Sequence, residues 1–327
     1  MRIGFTYDLR SDYLALGYGE EATAEFDKEE TIAAIEAELR TLGYLVDRIG
    51  HVKALAARLA AGQSWDLVFN ICEGLHGAGR EAQVPALLDA FGIPYVFSGP
   101  TTLALTLNKA LTKHVVQNLG IPTAEFAVIA RREEIAQVRL PFPLFLKPTC
   151  EGTGKGVSSR SRVSDPAALA QVALDLLERF QQPVLVEVYL PGREFTTGVV
   201  GQGENARVLG TMEVLFTDVA ETSDYSYLNK ADYEDRVQYR PVFGNVAQAC
   251  EEVALAAWRG LGCVDGGRVD LRMDDSERVC FIEVNPLAGL NPTHSDLPIL
   301  CRLHGISFHD LIARIMTQAH QRLHPDR

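Results

Sequence analysis

The sequence is short of positive charge, of long apolar runs and of paired cysteines, and each shortage excludes something. It has 31 Lys+Arg against 43 Asp+Glu, a formal net charge of −12. Such a surface repels a nucleic acid or an anionic membrane as a whole. A small anionic ligand needs only a local cationic pocket and stays open. No apolar run approaches the ~18 residues that a membrane-spanning helix needs. The six cysteines, at positions 72, 150, 250, 263, 280 and 301, form no CxxC and no close pair. They read as reduced, mostly buried thiols of a cytoplasmic protein. The opening segment Met1–Asp8 turns acidic too early for a secretory signal. Repeats, low-complexity stretches and long linkers are also missing.

What is there is ordinary globular material: 327 residues, 47% hydrophobic and 23% charged. At roughly 150 residues per domain this length predicts two or three domains. The first hundred residues alternate strand-like and helix-like segments: Arg2–Tyr7, Lys28–Leu42, Tyr44–Ile49, Val52–Ala61, Asp66–Ile71 and Glu81–Phe91, then an extended Gly92–Phe97. This order predicts a parallel sheet with crossover helices. Residues 101–120 read as one helix, ended by Gly120-Ile121-Pro122. A second unit holds a strand at Pro143–Lys147, a Gly-rich loop, a helix at Pro166–Phe180 and a strand at Val184–Val188. The remainder opens with strands and closes with a helix at Phe308–His320.

Three stretches can carry chemistry. Lys147-Pro148 leads into Thr149-Cys150-Glu151-Gly152-Thr153-Gly154-Lys155-Gly156. Alternating glycines let backbone N–H groups approach phosphate oxygens, and two lysines add charge. The same glycines also fit a plain turn. The loop is no Walker A motif, because Gly156 follows Gly-Lys, and no G-x-G-x-x-G, because position 157 is Val. The second stretch is Gly267–Met273, a short acidic turn, then Cys280–Asn285. Strand alternation puts Arg268, Asp270 and Arg272 on one face and Glu283 with Asn285, leaving Cys280, Ile282 and Val284 for the core. In a hairpin, Asp270 and Glu283 meet across the strands. The face then suits either a divalent cation held by hard oxygens or a solvated set of ion pairs. The third stretch, Glu187-Val188-Tyr189-Leu190, ends a strand on an acid followed by exposed backbone, which fits an adenine edge or an ordinary strand end. His76 sits in a turn and fits a structural role as well. No Ser–His–Asp or Cys–His set is apparent, and Tyr225, Tyr227 and Tyr233 lack the basic interleaving of a nucleic-acid surface.

In order along the chain, Leu75-His76-Gly77, Gly92-Ile93-Pro94-Tyr95, Ser98-Gly99, Asn108-Lys109, Lys147-Pro148, Glu151-Gly152-Thr153, Glu187, Pro191–Thr196, Arg268-Val269-Asp270, Glu283-Val284-Asn285 and Gly305–Phe308 resemble the ATP-grasp superfamily. Within it they resemble the D-alanine–D-alanine ligases. The resemblance implies a three-domain α/β ATP-grasp fold: a parallel α/β domain over 1–100, a small central α+β domain over 101–188, and a C-terminal α+β domain over 189–327. It implies an ADP-forming, acyl-phosphate ligase of small amino acids in peptidoglycan biosynthesis, using ATP and Mg²⁺ or Mn²⁺ and commonly assembled as a homodimer. Lys109, Lys147, Glu151, Gly152, Gly154, Glu187, Tyr189, Leu190 and Glu194 would bind the nucleotide. Asp270, Glu283 and Asn285 would hold the metal. Arg268, Lys230, Thr153 and Gly289 form the implied catalytic set, with Lys230 reaching the γ-phosphate and Arg268 paired with the Gly289 backbone for an oxyanion. His76, Arg80, His294 and Ser295 fall on the substrate side.

The chain departs from the family mainly at the substrate site. The family's first loop carries a Glu for the ammonium of the first D-alanine, and Thr6–Tyr13 lacks that pattern. Arg80 is a new cation, Ala231 replaces a Tyr, and the closing loop Asn285–His294 runs one residue longer before Ser295. Arg10 and Arg80 therefore predict a first substrate with extra negative charge. Two further readings remain: a ligase for another amino acid or a specialised metabolite, and an ATP-binding regulator without turnover.

Overall fold

The computed structural model describes residues 1–216 and 237–323. Three sheets organise it. Strands β1 (Arg2–Tyr7), β2 (Leu45–Gly50) and β3 (Leu67–Ile71) form a parallel sheet in the order β2-β1-β3. The helices Glu29–Thr41 and Val52–Ala60 supply its crossovers. All five β3 residues are buried, as the sequence run DLVFNI predicts for a strand covered on both faces. Past β3, Val68 bridges Tyr95, so the chain after Gly92 only touches the sheet edge.

The central sheet contains β4 (Phe126–Ile129), β5 (Leu144–Pro148), β6 (Arg162–Val163) and β7 (Val184–Val188), in the order β4-β7-β5-β6. The helix Pro166–Phe180 covers it. Asp165 caps that helix by accepting from Ala167 N and Ala168 N at 2.9 Å, with Pro166 at the first helical position. Leu169, Val172, Ala173 and Leu176 recur at helical spacing and bury against Leu144, Leu146, Val184 and Val186.

The third sheet is antiparallel: β8 (Glu194–Val200), β9 (Arg207–Phe216), β10 (Val237–Pro241), β11 (Gly266–Met273) and β12 (Val279–Asn285), in the order β10-β9-β8-β11-β12. The helix Asn245–Gly260 packs on it through Cys250, Ala254, Ala257 and the fully buried Trp258.

Two details differ from the expectation. Residues 101–120 form two helices, Pro100–Leu107 and Lys109–Asn118. Asn108 leaves helical backbone and caps the second one, its side chain accepting from Leu111 N at 3.1 Å. That break puts Lys109 at a helix start. Val116 and Ile121 then join the core of the third sheet, whereas the central core spans only Ile129–Val186. Likewise β1 and β3 share a hydrophobic cluster with Leu297, Leu300 and the helix Phe308–Leu323. The hydrophobic cores thus do not divide at residue 100.

Candidate active site

The Gly-rich loop hangs between β5 and β6 and folds back sharply. Thr153, Gly154 and Gly156 all have positive φ, 52°, 70° and 77°. Gly156 is obligatory, because a Cβ there would lie 2.6 Å from Pro148 Cγ and 2.9 Å from the Phe180 ring. Thr153 carries a side chain in a region that β-branched residues rarely adopt, a strain that local contacts must hold.

Under this loop lies a cavity of about 120 Å³. Its walls include Lys109, Lys147, Glu151–Lys155, Glu187–Leu190, Glu194, Asp270 and Glu283. Every nucleotide-binding residue expected from the sequence therefore lines one space. Glu187 is 4% exposed and lies between two lysines, 2.6 Å from Lys113 and 2.8 Å from Lys147. Burial opposes its charge, yet the two ammonium groups hold its carboxyl down at about 2. Burial also disfavours the Lys113 charge, and its pKa is lowered despite Glu187. Lys147 faces the same penalty, but Glu187 and Glu283 raise its pKa. Tyr189 is clasped by Arg162 and Arg272, 4.2 and 5.0 Å from its ring, and its hydroxyl accepts from Arg272 at 2.9 Å.

The hairpin β11–β12 pairs Asp270 with Glu283 and Arg268 with Asn285. The alternation read from the sequence slips once. Leu271 pairs with Phe281, so Ile282 is the extra residue of a bulge. Ile282 consequently lines the cavity instead of facing the main core, and Phe281 takes the buried place. Asp270 accepts from Thr196 at 2.9 Å, from Asn285 at 3.3 Å, and pairs closely with Arg268. Glu283 lies 3.3 Å from Lys109. Two facing carboxylates beside an amide suit a hard divalent cation. Among the described residues no group of three or more His, Cys, Asp or Glu is arranged to hold a metal.

A second cavity, about 240 Å³, adjoins the first. Lys109, Glu151, Gly152, Thr153 and Glu283 line both. Its own walls bring in Arg268, Asn285, Gly289, His294 and Ser295. Asn291 organises this closing loop. Its Oδ1 accepts from Thr293 N and His294 N, and its amide donates to Thr31 at 2.9 Å. Ser295 Oγ accepts from Asn291 N at 3.0 Å.

The remaining predicted residues fall elsewhere. His76 is exposed, lines neither cavity, and lies 3.3 Å from the Tyr18 hydroxyl. Arg80 is buried and pairs with Glu25 at 2.7 Å, while Arg10 pairs with Glu20. The expectation that these arginines favour an extra substrate anion is corrected: both guanidinium groups already have carboxylate partners. Lys230 lies outside the described residues. Sequence reading missed Glu25, Asp27, Glu73 and Glu81, which line the second cavity. Burial pushes the Asp27 carboxyl up to about 7. Burial, only partly offset by Arg80, does the same for Glu81. Burial and the neighbouring Glu81 and Glu25 raise Glu73 well above the carboxylate range. Glu25, Asp27 and Glu73 lie outside regular helices and strands, and Glu81 sits in the short helical turn Arg80–Ala82, so no periodic pattern groups the four. Burial also pushes the Cys250 and Cys301 thiols up to about 12, which removes them as nucleophiles.

The fold and these adjoining cavities define an ATP-grasp enzyme. A D-alanine–D-alanine ligase from Bacillus anthracis, crystallised with ATP, superimposes with TM-score 0.74 at 21% identity, covering 100% of both chains. A D-Ala:D-Ser ligase from Enterococcus faecalis does so with TM-score 0.74 at 19% identity, over 97% of this chain and 99% of that one. Residues 115–317 match the family model for the D-ala D-ala ligase C-terminus. A D-alanine–D-alanine ligase of Bordetella pertussis is 35% identical over 271 residues, 82% of each chain. This chain belongs to the D-alanine–D-alanine ligase family.

Proposed function

We propose that the protein joins two amino acids, D-alanine being the default for both, at the expense of one ATP. Membership of the family makes it an ADP-forming ligase of amide bonds. The observation that carries the finer reading is the continuity of the two cavities at Lys109, Gly152, Thr153 and Glu283. In this reading ATP occupies the first, its base toward Glu187–Leu190 and its phosphates under the Gly-rich loop. The amino acids occupy the second.

The first carboxylate attacks the γ-phosphorus, releasing ADP and leaving an acyl phosphate. The amine of the second amino acid then attacks the carbonyl carbon. The tetrahedral intermediate collapses to the amide and expels inorganic phosphate, which keeps one oxygen of the original carboxylate. Lys109 and Lys147 offset phosphate charge. Arg268, whose pKa burial would lower but Asp270 and Asp296 raise, stays charged to stabilise the oxyanion. Asp270, Glu283 and Asn285 are the residues that would hold Mg²⁺; the ion would neutralise charge on the transferring phosphoryl group. Glu25 supplies the carboxylate missing from Thr6–Tyr13 and faces the first ammonium. No covalent protein nucleophile is needed. Among the described residues no helix is long and apolar enough to cross a membrane, and all six cysteines are buried and unpaired, in keeping with our assignment to the cytoplasm.

A panel of D- and L-amino acids, scored by ATP-dependent phosphate release with product masses, tests the reading. D-alanine alone should yield its dipeptide. Phosphate release only with a different pair would move the specificity. ATP binding without release across the panel would favour a regulator.

A further inference from the structure

Arg80 lines neither cavity, is 7% exposed, and touches the walls of both indirectly. One arm of its guanidinium donates to Glu25 Oε2 at 2.7 Å, the other to the carbonyl of Cys150 at 2.7 Å. Cys150 is at the root of the Gly-rich loop. The other Glu25 oxygen, Oε1, accepts from Gly152 N at 2.7 Å and lies 3.2 Å from Lys155 Nζ. A Cβ on Gly152 would sit 2.7 Å from that same oxygen, so a side chain there would have to push the Glu25 carboxylate aside. Glu25 thus bridges the amino-acid cavity and the loop, and Arg80 fixes it to both.

We propose that Arg80 is a positioning residue that holds the Glu25 carboxylate at the boundary of the two cavities and thereby couples amino-acid binding to nucleotide binding. The inference rests on the ligase reading above. A backbone N–H and a lysine ammonium are the donors a phosphate oxygen takes. A phosphate arriving at Gly152 and Lys155 competes with Glu25 Oε1 for them. Arg80 keeps Oε2, so the displaced carboxylate stays at the cavity wall, ionised, with an acceptor open to an α-ammonium. Without Arg80, and with Lys155 and Gly152 N–H turned to the phosphate, Glu25 would face Glu73 and Glu81 without a cation of its own and hold its charge less well. Binding linkage is reciprocal, so the amino acid must tighten the nucleotide by the same factor. Only an arginine fork reaches two acceptors in fixed geometry; a lysine is a point charge.

The test is a calorimetric titration of the full-length protein with the magnesium salt of a non-hydrolysable ATP analogue, with and without saturating D-alanine. In the unmodified protein D-alanine should tighten the analogue at least about fivefold. Arg80→Met should abolish that gain, so that the analogue binds equally well with and without D-alanine, whatever its affinity alone. Arg80→Lys should restore part of it, which a merely structural role does not predict. If Arg80→Met does not fold, Glu25→Gln replaces it and should also lose the gain. Wild-type coupling in Arg80→Met, or in Glu25→Gln where that substitutes, overturns the proposal. So does an unmodified protein that binds both ligands with no mutual effect, and the ligase reading then survives. A protein that binds neither ligand and releases no phosphate brings down the ligase reading, and the coupling with it.

Discussion

Glu187 shows what one buried charge demands of its neighbours. Lys113 is fully buried, donates to Thr123 Oγ1 at 2.5 Å, and Thr123 donates to the Phe281 carbonyl at 2.8 Å. The Glu187 site is thereby fastened to β12, the strand that carries Glu283. Lys113→Met leaves Glu187 with one cation where it has two, and should cost about 3 kcal/mol in chemical denaturation. A loss below about 0.5 kcal/mol would class it with ordinary surface changes. Asp270→Asn keeps the side-chain shape and removes one negative charge from the hairpin. Turnover at saturating substrates should fall at least about 100-fold, the scale of losing one transition-state partner, while the protein stays folded at assay temperature with a lower melting midpoint, because the buried Arg268 loses its closest carboxylate. Near-normal turnover would put the chemistry elsewhere.

At the scale of elements, the hairpin β11–β12 was legible because strand periodicity is local. Alternation puts Arg268 with Asp270 on one face and Glu283 with Asn285 on another, and a hairpin then lets Asp270 meet Glu283; the pairing of Arg268 with Asn285 is added by the structure. The bulge at Ile282 was not legible, since a single extra residue leaves no mark on the pattern. The break at Asn108 had a mark, a capping residue inside an apolar-periodic stretch, that the helix reading passed over. Glu25 was invisible for another reason: its partners Arg80 and Gly152 lie 55 and 127 residues away in sequence. The nucleotide half of the site rests on strands and on one glycine-patterned loop, so it could be read. Of the amino-acid half, Arg268, Gly289, His294 and Ser295 could be read, but its acidic wall of Glu25, Asp27, Glu73 and Glu81 comes from separate segments and could not. The hairpin also fixes a packing prediction. A Cβ on Gly267 would lie 2.4 Å from the Asn285 carbonyl oxygen and 2.8 Å from the Trp258 ring. Gly267→Ala should therefore destabilise the fold by about 1–3 kcal/mol and lower turnover with it. Unchanged denaturation would show that the strands can part without cost.

For the whole molecule, the net charge of −12 describes the outer surface and little of the interior. Inside, Lys109, Lys147 and Arg268 gather beside Glu187, Asp270 and Glu283, while the second cavity keeps Asp27, Glu73 and Glu81 close together. This sets a pH dependence of stability. Asp27 has an ordinary value of 3.8 and is raised to about 7 in the fold. Between those values the folded state keeps a proton that the unfolded state gives up. Stability therefore falls as pH rises from about 4 to about 7, by at most about 1.4 kcal/mol per unit for this group. Asp27→Asn should flatten that fall in urea titrations taken across the range. A slope equal to that of the unmodified protein would mean that Asp27 ionises normally.

The central claim is that one ATP drives amide formation through an acyl phosphate in the joined cavities. It is tested most directly by supplying D-alanine labelled with heavy oxygen in its carboxylate and recovering the inorganic phosphate. Dipeptide and ADP should form in equal amounts, with one labelled oxygen carried into each phosphate. ADP formed without dipeptide, or dipeptide formed with unlabelled phosphate, would contradict it.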